Sequence, residues 1–449
     1  MNSETICALA TAPGGALGII RVSGSQSLEI LSRVFSKDLS NAEPNTIHYG
    51  HIKADKEVVD EVLVSVFRAP HSYTGEDSAE ISCHGSRYIL NKVLELLIQH
   101  GCRMANPGEF TQRAFLNGKM DLSQAEAVAD LIASSNKATH QIALSQLRGN
   151  FSSELARLRE KLLRLTSLLE LELDFSDHED LEFADRSELL AIAEDIDARV
   201  SRLAYSFETG QALKQGIPVA IVGKTNVGKS TLLNRLLHEE RAIVSDIHGT
   251  TRDTIEDTID INGVTFRFID TAGIRQTNDT IEQIGIERTY AAIEKARIII
   301  WMIEENTKPE DIQDLLQQAK GKETIVVCNK VDKMNSDTFV PPITPLLYIS
   351  AKTGFNIDQL EAKLFEAAKI PELSDHDIIV TSARQYDTLL RAHQNLDRVL
   401  SGLQTGLSGD LISEDLRLVL DDLADITGEG RIMTNEVLGN IFSHFCVGK

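Results

Sequence analysis

Cysteine is scarce in this chain. Its five cysteines, Cys7, Cys83, Cys102, Cys328 and Cys446, are far apart and odd in number. They form no C-x-x-C pair and no zinc-ligand spacing. That excludes a disulfide framework and a cysteine zinc module, and makes a reducing compartment, the cytoplasm, the default. Basic charge is in deficit: 45 Lys and Arg against 67 Asp and Glu leave a net charge of −22. So acidic a chain does not wrap nucleic acid over its whole surface, although a local basic patch stays open. No apolar run approaches the ~20 residues that span a bilayer. The opening Met1-Asn2-Ser3-Glu4-Thr5 lacks the basic and apolar stretches of a signal peptide. Aromatics are few, with the single tryptophan Trp301. What remains, 42% apolar and 25% charged residues over 449 positions, is ordinary for a globular protein of two to four domains.

The informative stretch is Gly223-Lys224-Thr225-Asn226-Val227-Gly228-Lys229-Ser230, a G-x-x-x-x-G-K-S phosphate-binding loop. The apolar run Val219 to Val222 before it suits a buried strand, and Thr231 to Leu237 after it suits a helix. Glycines let the backbone close on a polyphosphate, and amide groups at the helix start face the anion. Lys229 adds charge at the β/γ phosphates, and the Ser230 hydroxyl is placed for Mg²⁺. Further motifs follow in order. Gly249-Thr250-Thr251-Arg252-Asp253 offers a hydroxyl, Thr251, to complete the Mg²⁺ shell. Alternating Ile255, Asp257, Ile259 and Ile261, then Asn262-Gly263, predict a hairpin returning over Val264 to Ile269. It ends at Asp270-Thr271-Ala272-Gly273, where Asp270 would reach Mg²⁺ through water and the Gly273 N–H the γ-phosphate. Strand-like runs Ile298–Ile303 and Thr324–Cys328 precede Asn329-Lys330-Val331-Asp332. The Asp332 carboxylate can accept from guanine N1–H and the 2-amino group, neither of which adenine offers. Ser350-Ala351-Lys352 closes the base pocket. The ligand implied is GTP. The residue after Gly273 is Ile274, where Ras-like GTPases have a water-orienting glutamine; Glu282, in the polar stretch Arg275 to Gln283, could position water instead.

The rest of the chain carries no catalytic constellation on spacing alone. Residues 1 to about 118 read as α+β, with strand-like runs at Leu17–Val22, Glu61–Phe67 and Glu80–Cys83 and helical spacing over Arg87–Gln99. Arg21 and Glu80 sit in strand-like runs, where the bland reading is surface or paired structural residues. Asp121 and Gln124 can form a capping box. Leu144, Leu147, Phe151, Leu155, Leu158, Leu162, Leu165 and Leu169 make one apolar helical stripe. A second helix is predicted from about Ser187 to Phe207. Residues 372 to 449 return to helical spacing, broken at Gly428-Glu429-Gly430.

Over essentially its full length the chain resembles the MnmE (TrmE) family of tRNA-modification GTPases. The resemblance is carried by Gly223–Ser230, Gly249–Asp253, Asp270–Arg275, Ile284-Gly285-Ile286-Glu287-Arg288, Pro107-Gly108-Glu109-Phe110, Arg113-Ala114-Phe115-Leu116-Asn117 and the terminal Phe445-Cys446-Val447-Gly448-Lys449. It implies a multidomain α/β and α+β chain. A folate-binding, dimerising N-terminal domain spans 1–118. An all-helical domain made from 119–215 and 372–449 receives an inserted Ras-like P-loop G domain, 216–371. It implies a homodimer that joins the flavoprotein MnmG (GidA) in a heterotetramer and adds an aminomethyl-type group to carbon 5 of the wobble uridine of certain tRNAs. It places 5-formyl- or 5,10-methylene-tetrahydrofolate at Arg21, Glu80, Lys119 and Lys449. The expected GTP site comprises Asn226, Val227, Gly228, Lys229, Ser230 and Thr231; Ser245, Asp246, Ile247, His248, Gly249, Thr250 and Thr251; Asp270, Thr271, Ala272 and Gly273; and Asn329, Lys330, Asp332, Ser350, Ala351 and Lys352. Lys229, Thr251 and Glu282 would be catalytic, and Ser230 and Thr251 would hold Mg²⁺. A potassium ion, in place of an arginine finger, would be held by Asn226, Ser245 and the backbone of Ile247 and Thr250. Cys446 is either a catalytic thiol or a buried small apolar residue. A ribosome-assembly GTPase is the runner-up, because Gly249–Asp253 also occurs there; a folate enzyme with a merely regulatory G domain is a third reading. Asp332→Asn is expected to shift base preference from GTP to xanthine nucleotides in a competition assay; retained GTP preference would refute the role given to Asp332.

Overall fold

The computed structural model describes residues 4–55, 57–174, 186–239, 257–269, 291–304, 319–333, 346–370, 377–429, 435–443, 445 and 448. The chain divides into two compact units. Unit 1 comprises Met1–Ala133, Leu144–Ser201 and Asp387–Lys449; unit 2 comprises Ser134–Ala143 and Arg202–Tyr386.

Unit 1 opens with a sheet of β1 (Ile6–Leu9), β2 (Leu17–Ser23), β3 (Thr46–Ala54), β4 (Glu57–Phe67), β5 (Ser78–His84) and β6 (Arg103–Met104), in the order β3-β4-β5-β2-β1-β6. Only β1 and β6 pair in parallel; the other neighbours are antiparallel. The strands alternate, so Ile20, Val22, Val64, Val66 and Ile81 point to one buried face. There α1 (Ser27–Val34) and α2 (Arg87–Gln99) contribute Leu31, Leu90, Val93 and Leu97 to the same core. The strands expected at 17–22, 61–67 and 80–83 are present; β1, β3 and β6 were not anticipated.

Helices follow: α3 (Glu109–Leu116), α4 (Leu122–Ala133), α5 (Lys137–Leu147), α6 (Asn150–Asp174) and α7 (Arg186–Gln215). The capping box is reciprocal. Gln124 N–H donates to Asp121 Oδ1 at 2.9 Å, and Asp121 N–H to Gln124 Oε1 at 3.0 Å. The apolar stripe over 144–169 belongs to two helices, because Gly149 takes φ +84° and separates α5 from α6. The helix expected to end near Phe207 continues to Gln215.

Unit 2 holds the second sheet: β7 (Ile217–Gly223), β8 (Asp257–Ile261), β9 (Val264–Phe268), β10 (Ile298–Ile303), β11 (Glu323–Cys328) and β12 (Leu346–Tyr348). The order is β12-β11-β10-β7-β9-β8, parallel except for the β8–β9 hairpin. Asn262 and Gly263 take φ 53° and 81°, as a two-residue turn of the expected type requires. Helices α8 (Lys229–Glu239) and α9 (Ile357–Ala367) pack Leu232, Leu233, Leu360 and Leu364 onto Val219, Ile221, Ile300 and Val327. The chain then forms α10 (Ala383–Thr405), α11 (Gly409–Thr427) and α12 (Asn435–Phe442). In unit 1, α11 packs on α6 and α4, and α12 on α3. The sheet of unit 2 is thus an insertion between helical segments that pack together.

One buried ion network ties α3 to the first sheet. Glu109 accepts from Arg103 at 2.6 Å, from Arg113 at 3.0 Å and from the Asn106 N–H at 2.8 Å. Arg113 reaches on to Glu76 at 3.0 Å and to the Glu4 carbonyl at 3.0 Å. Burial pushes the Glu109 carboxyl up, but the bonds from Arg103, Asn106 and Arg113 outweigh it and hold it below the usual glutamate range. A depressed folded pKa contributes stability that is present above about pH 4.3, the unfolded value, and is lost as pH falls through the folded one. Glu109→Gln is therefore expected to unfold at lower denaturant at pH 7 and to lose less stability on acidification. Parallel stability–pH curves for the two chains would contradict this.

Candidate phosphate and guanine site

β7 is central in its sheet and buried along most of its length, so its carboxyl end sits where loops of a parallel sheet converge. The loop that leaves it is shaped by close approaches. A side chain at Gly223 (φ +151°) would lie 2.4 Å from the Met302 carbonyl, and one at Gly228 (φ +103°) 2.3 Å from Asn329 Nδ2. Asn226 takes a left-handed φ of 64°. The chain turns straight into α8, whose first residues are Lys229, Ser230 and Thr231. The first amide groups of a helix have no acceptor within the helix itself, so that helix start can serve as an anion cradle. Lys229 Nζ donates to the Gly223 and Lys224 carbonyls at 2.6 and 2.8 Å. Burial pushes the Lys229 ammonium below the usual lysine range. A bound phosphate would reverse that.

A second set of residues converges on this loop from the ends of β11 and β12. The Asn329 side chain is buried. Its Nδ2 donates to the Val227 carbonyl at 2.8 Å, and its Oδ1 accepts from the Ala351 N–H at 3.0 Å. Lys330 Nζ donates to the Asn226 carbonyl at 2.6 Å and pairs with Glu304. Ser350 Oγ donates to Asp332 Oδ1 at 2.6 Å, which holds that exposed carboxyl below its usual range. Asp332 stays ionised at neutral pH with its second oxygen available as an acceptor. Asn226, Val227, Lys229, Asn329, Lys330, Asp332, Ser350 and Ala351 therefore form one connected constellation. Ser245, Asp246, Ile247, His248, Gly249, Thr250, Thr251, Asp270, Thr271, Ala272, Gly273 and Glu282 lie outside the described residues.

Sequence reasoning missed Arg235. From α8 its guanidinium donates to the Ala351 carbonyl at 3.3 Å and the Lys352 carbonyl at 2.6 Å. It is a direct tie between the phosphate-loop helix and the 350–352 loop. In sequence it reads as the solvent face of an amphipathic helix, because Asn234-Arg235 lies between Leu232-Leu233 and Leu236-Leu237.

A distinct cluster occupies unit 1. Arg21 and Glu80 face each other across β2 and β5, with Nε 2.7 Å from Oε1. Arg21 Nη1 also donates to the Gly448 carbonyl at 3.2 Å, and its guanidinium lies 5.9 Å from the centre of the Tyr73 ring. Gly448 takes φ +95°, and a side chain there would lie 2.0 Å from the Leu9 carbonyl. Lys119 Nζ donates to the Pro70 carbonyl at 2.9 Å, so it meets the same 70–76 loop that carries Tyr73. Lys449 and Cys446 lie outside the described residues.

Comparison with known proteins gives a consistent result. Residues 5–119 match the family model described as GTP-binding protein TrmE N-terminus, and residues 122–446 the model described as MnmE helical domain. A protein of Bacteroides thetaiotaomicron named tRNA modification GTPase MnmE is 55% identical over 469 residues, covering 100% of both chains. Its namesake in Phocaeicola vulgatus is 54% identical over 497 residues, covering 100% of this chain and 99% of that one. One in Flavobacterium johnsoniae is 49% identical, again over 100% of both chains.

Two substitutions probe the geometry. The lowered Lys229 pKa means that its buried charge costs stability below the folded pKa, and the cost is relieved as pH rises through it. Lys229→Met is expected to lower GTP turnover by about 100-fold or more while the nucleotide-free chain unfolds no earlier than wild type at pH 7. Arg235→Ala is expected to raise the Kd for GDP about tenfold, through loss of one charge-assisted tie, with Arg235→Lys intermediate; unchanged GDP affinity would show that the 350–352 loop holds its shape without it.

Proposed function

The chain belongs to the MnmE family of tRNA-modification GTPases and is a GTP hydrolase of tRNA modification; from that premise we propose how its parts divide the work. The G domain, 216–371, binds GTP and Mg²⁺ in the constellation around Lys229 and Asp332, with Ser230 and Thr251 on the metal. Ile274 supplies no hydrogen bond to water, so Glu282 positions the attacking water. A potassium ion beside Asn226, Ser245, Ile247 and Thr250 supplies the positive charge that other GTPases take from an arginine finger. The exposed left-handed Asn226, whose backbone is held by Lys330, supports this reading. The helical segments 119–215 and 372–449 carry the insertion.

The N-terminal segment, 1–118, binds a tetrahydrofolate derivative. Arg21 and Glu80 offer a donor and an acceptor side by side next to the Tyr73 ring, which suits a planar heteroaromatic with a hydrogen-bonding edge, and Lys119 and Lys449 complete the site. When bound, the folate would supply the one-carbon unit. The chain acts as a homodimer, which the exposed Ile47, Tyr49 and Leu63 support. Tyr49 and Leu63 are cross-strand partners on β3 and β4. With the flavoprotein MnmG it modifies carbon 5 of the wobble uridine, in the cytoplasm. The full-length likeness to proteins named for tRNA modification favours a tRNA substrate over ribosome assembly.

The observation that carries the reading is the single connected surface of phosphate loop, Asn329, Asp332 and Ser350. GTP turnover in KCl is expected to exceed that in NaCl at equal ionic strength; equal rates would remove the potassium ion. Nucleoside analysis of tRNA modified in a reaction holding MnmG, folate, GTP and K⁺ tests the whole scheme, with each component omitted in turn. Arg21→Ala is expected to abolish modification while GTP turnover stays within about twofold, since it lies in the other unit.

A further inference from the structure

Two carboxylates in the helical part of unit 1 lack the partners their neighbours have. Asp195 pairs with Lys161 and Arg199, Glu154 with Arg199 and Arg157, and Asp422 with Arg391. Asp197 on α7 and Asp397 on α10 have, among the described residues, no Lys or Arg ion pair; each meets the ring of His393. His393 and Asp397 are one helical turn apart and share a face of α10. His393 Nδ1 lies 2.6 Å from Asp197 Oδ1 and 3.1 Å from Ser201 Oγ. A bond that short to a carboxylate places the ring proton on Nδ1. With that proton on Nδ1, Nε2 is the ring atom that can offer a lone pair to a cation. It faces Asp397 Oδ2 at 3.9 Å, beyond hydrogen-bond range. One ligand atom from each of the three residues lies within 4.8 Å of the others. Two electron-rich atoms held that way leave room between them for a cation bound at ~2.0–2.2 Å from each.

We propose that His393 Nε2 and Asp397 bind a divalent transition-metal ion of the zinc or cobalt class, with Asp197 as the carboxylate that orients the imidazole. A metal-ligating histidine characteristically donates its other N–H to a carboxylate, which fixes the tautomer and strengthens the ligand. The mixed nitrogen and oxygen donors favour Zn²⁺ or Co²⁺ over Mg²⁺ and Ca²⁺, which prefer oxygen alone. The Asp397 side chain is 61% exposed, so water completes the shell. The packing around the site is firm: Leu389, Ala392, Leu396 and Val399 of α10 and Ile196 and Val200 of α7 are buried beside it. The consequence is structural. Asp197 precedes the second sheet in the chain and His393 follows it, so the ion would clip together the two stretches between which that sheet is inserted.

The test uses the full-length chain, stripped with a chelator and kept free of nucleotide. Zn²⁺ is titrated by calorimetry and Co²⁺ by visible absorption. The expected result is one Zn²⁺ per chain at micromolar Kd and a Co²⁺ spectrum without thiolate charge-transfer bands. At roughly a hundredfold excess over Kd, Tm should rise by about 5 °C. His393→Gln and Asp397→Asn should each weaken binding about tenfold or more and remove the Tm rise, and Asp197→Asn should weaken it about 10–100-fold. Asp397→Asn changes an exposed group, so its far-ultraviolet dichroism should match wild type and keep the comparison independent of misfolding. Absence of Zn²⁺ binding by the wild type, binding unchanged in Asp397→Asn and His393→Gln, or a thiolate band with Co²⁺ would each overturn the proposal.

Discussion

One side-chain amide holds the carboxyl edge of the second sheet together. Asn329 spends its donor on the Val227 carbonyl and its acceptor on the Ala351 N–H, and all of these groups are buried. An unpaired buried donor or acceptor costs about 1–3 kcal/mol, so neither loop can drift without leaving one behind. The contact explains Gly228, since any side chain there would occupy the space of the amide itself. It also explains why the loop keeps an anion-ready shape. The phosphate loop is clamped from behind by the residues proposed to recognise the base, and Lys330 and Arg235 add ties between the same elements. On that assignment, shape at the phosphates and selectivity at the base are one mechanical property.

The N-terminal sheet follows a different logic. Its strand-borne candidate Arg21 is paired locally by Glu80, as Arg113 on α3 is by Glu76 and Glu109 and Arg68 after β4 is by Asp77. A planar ligand entering beside Arg21 would exchange one hydrogen-bonding partner for another and need not bring a compensating charge. The second sheet instead presents a lysine made uncomfortable by burial, which gains when a polyphosphate arrives. The two clusters would suit different kinds of ligand.

What could be read in the sequence was local. The phosphate loop, the Asp121–Gln124 box and the Asn262-Gly263 turn are specified by a handful of adjacent residues, and all three have the expected conformation. The apolar stripe over 144–169, read as continuous, is buried from Phe151 onward but belongs to two helices, because its spacing carries across Gly149 while the backbone does not. β1 is too short to show a period. β3 escaped notice because Thr46 to Ala54 mixes exposed and half-buried positions along an edge strand, leaving only a weak alternation. Arg235 looked like a solvated residue, and nothing in its neighbours reveals that its partners lie more than a hundred positions downstream. Arg21 and Glu80 were legible only as charges in strand-like runs, while their bond to each other and the Gly448 carbonyl on the same guanidinium are tertiary facts.

That last bond joins residues 427 positions apart. A ribosome adding 5–20 residues per second needs roughly 20 to 90 s to bridge that interval. The first sheet can form early in synthesis, yet Arg21 meets its full set of neighbours only after the helical segments and the inserted sheet have emerged. A nascent chain would therefore hold an incomplete Arg21 cluster while its second sheet could already be folded, so completion of that cluster marks that synthesis has passed Gly448.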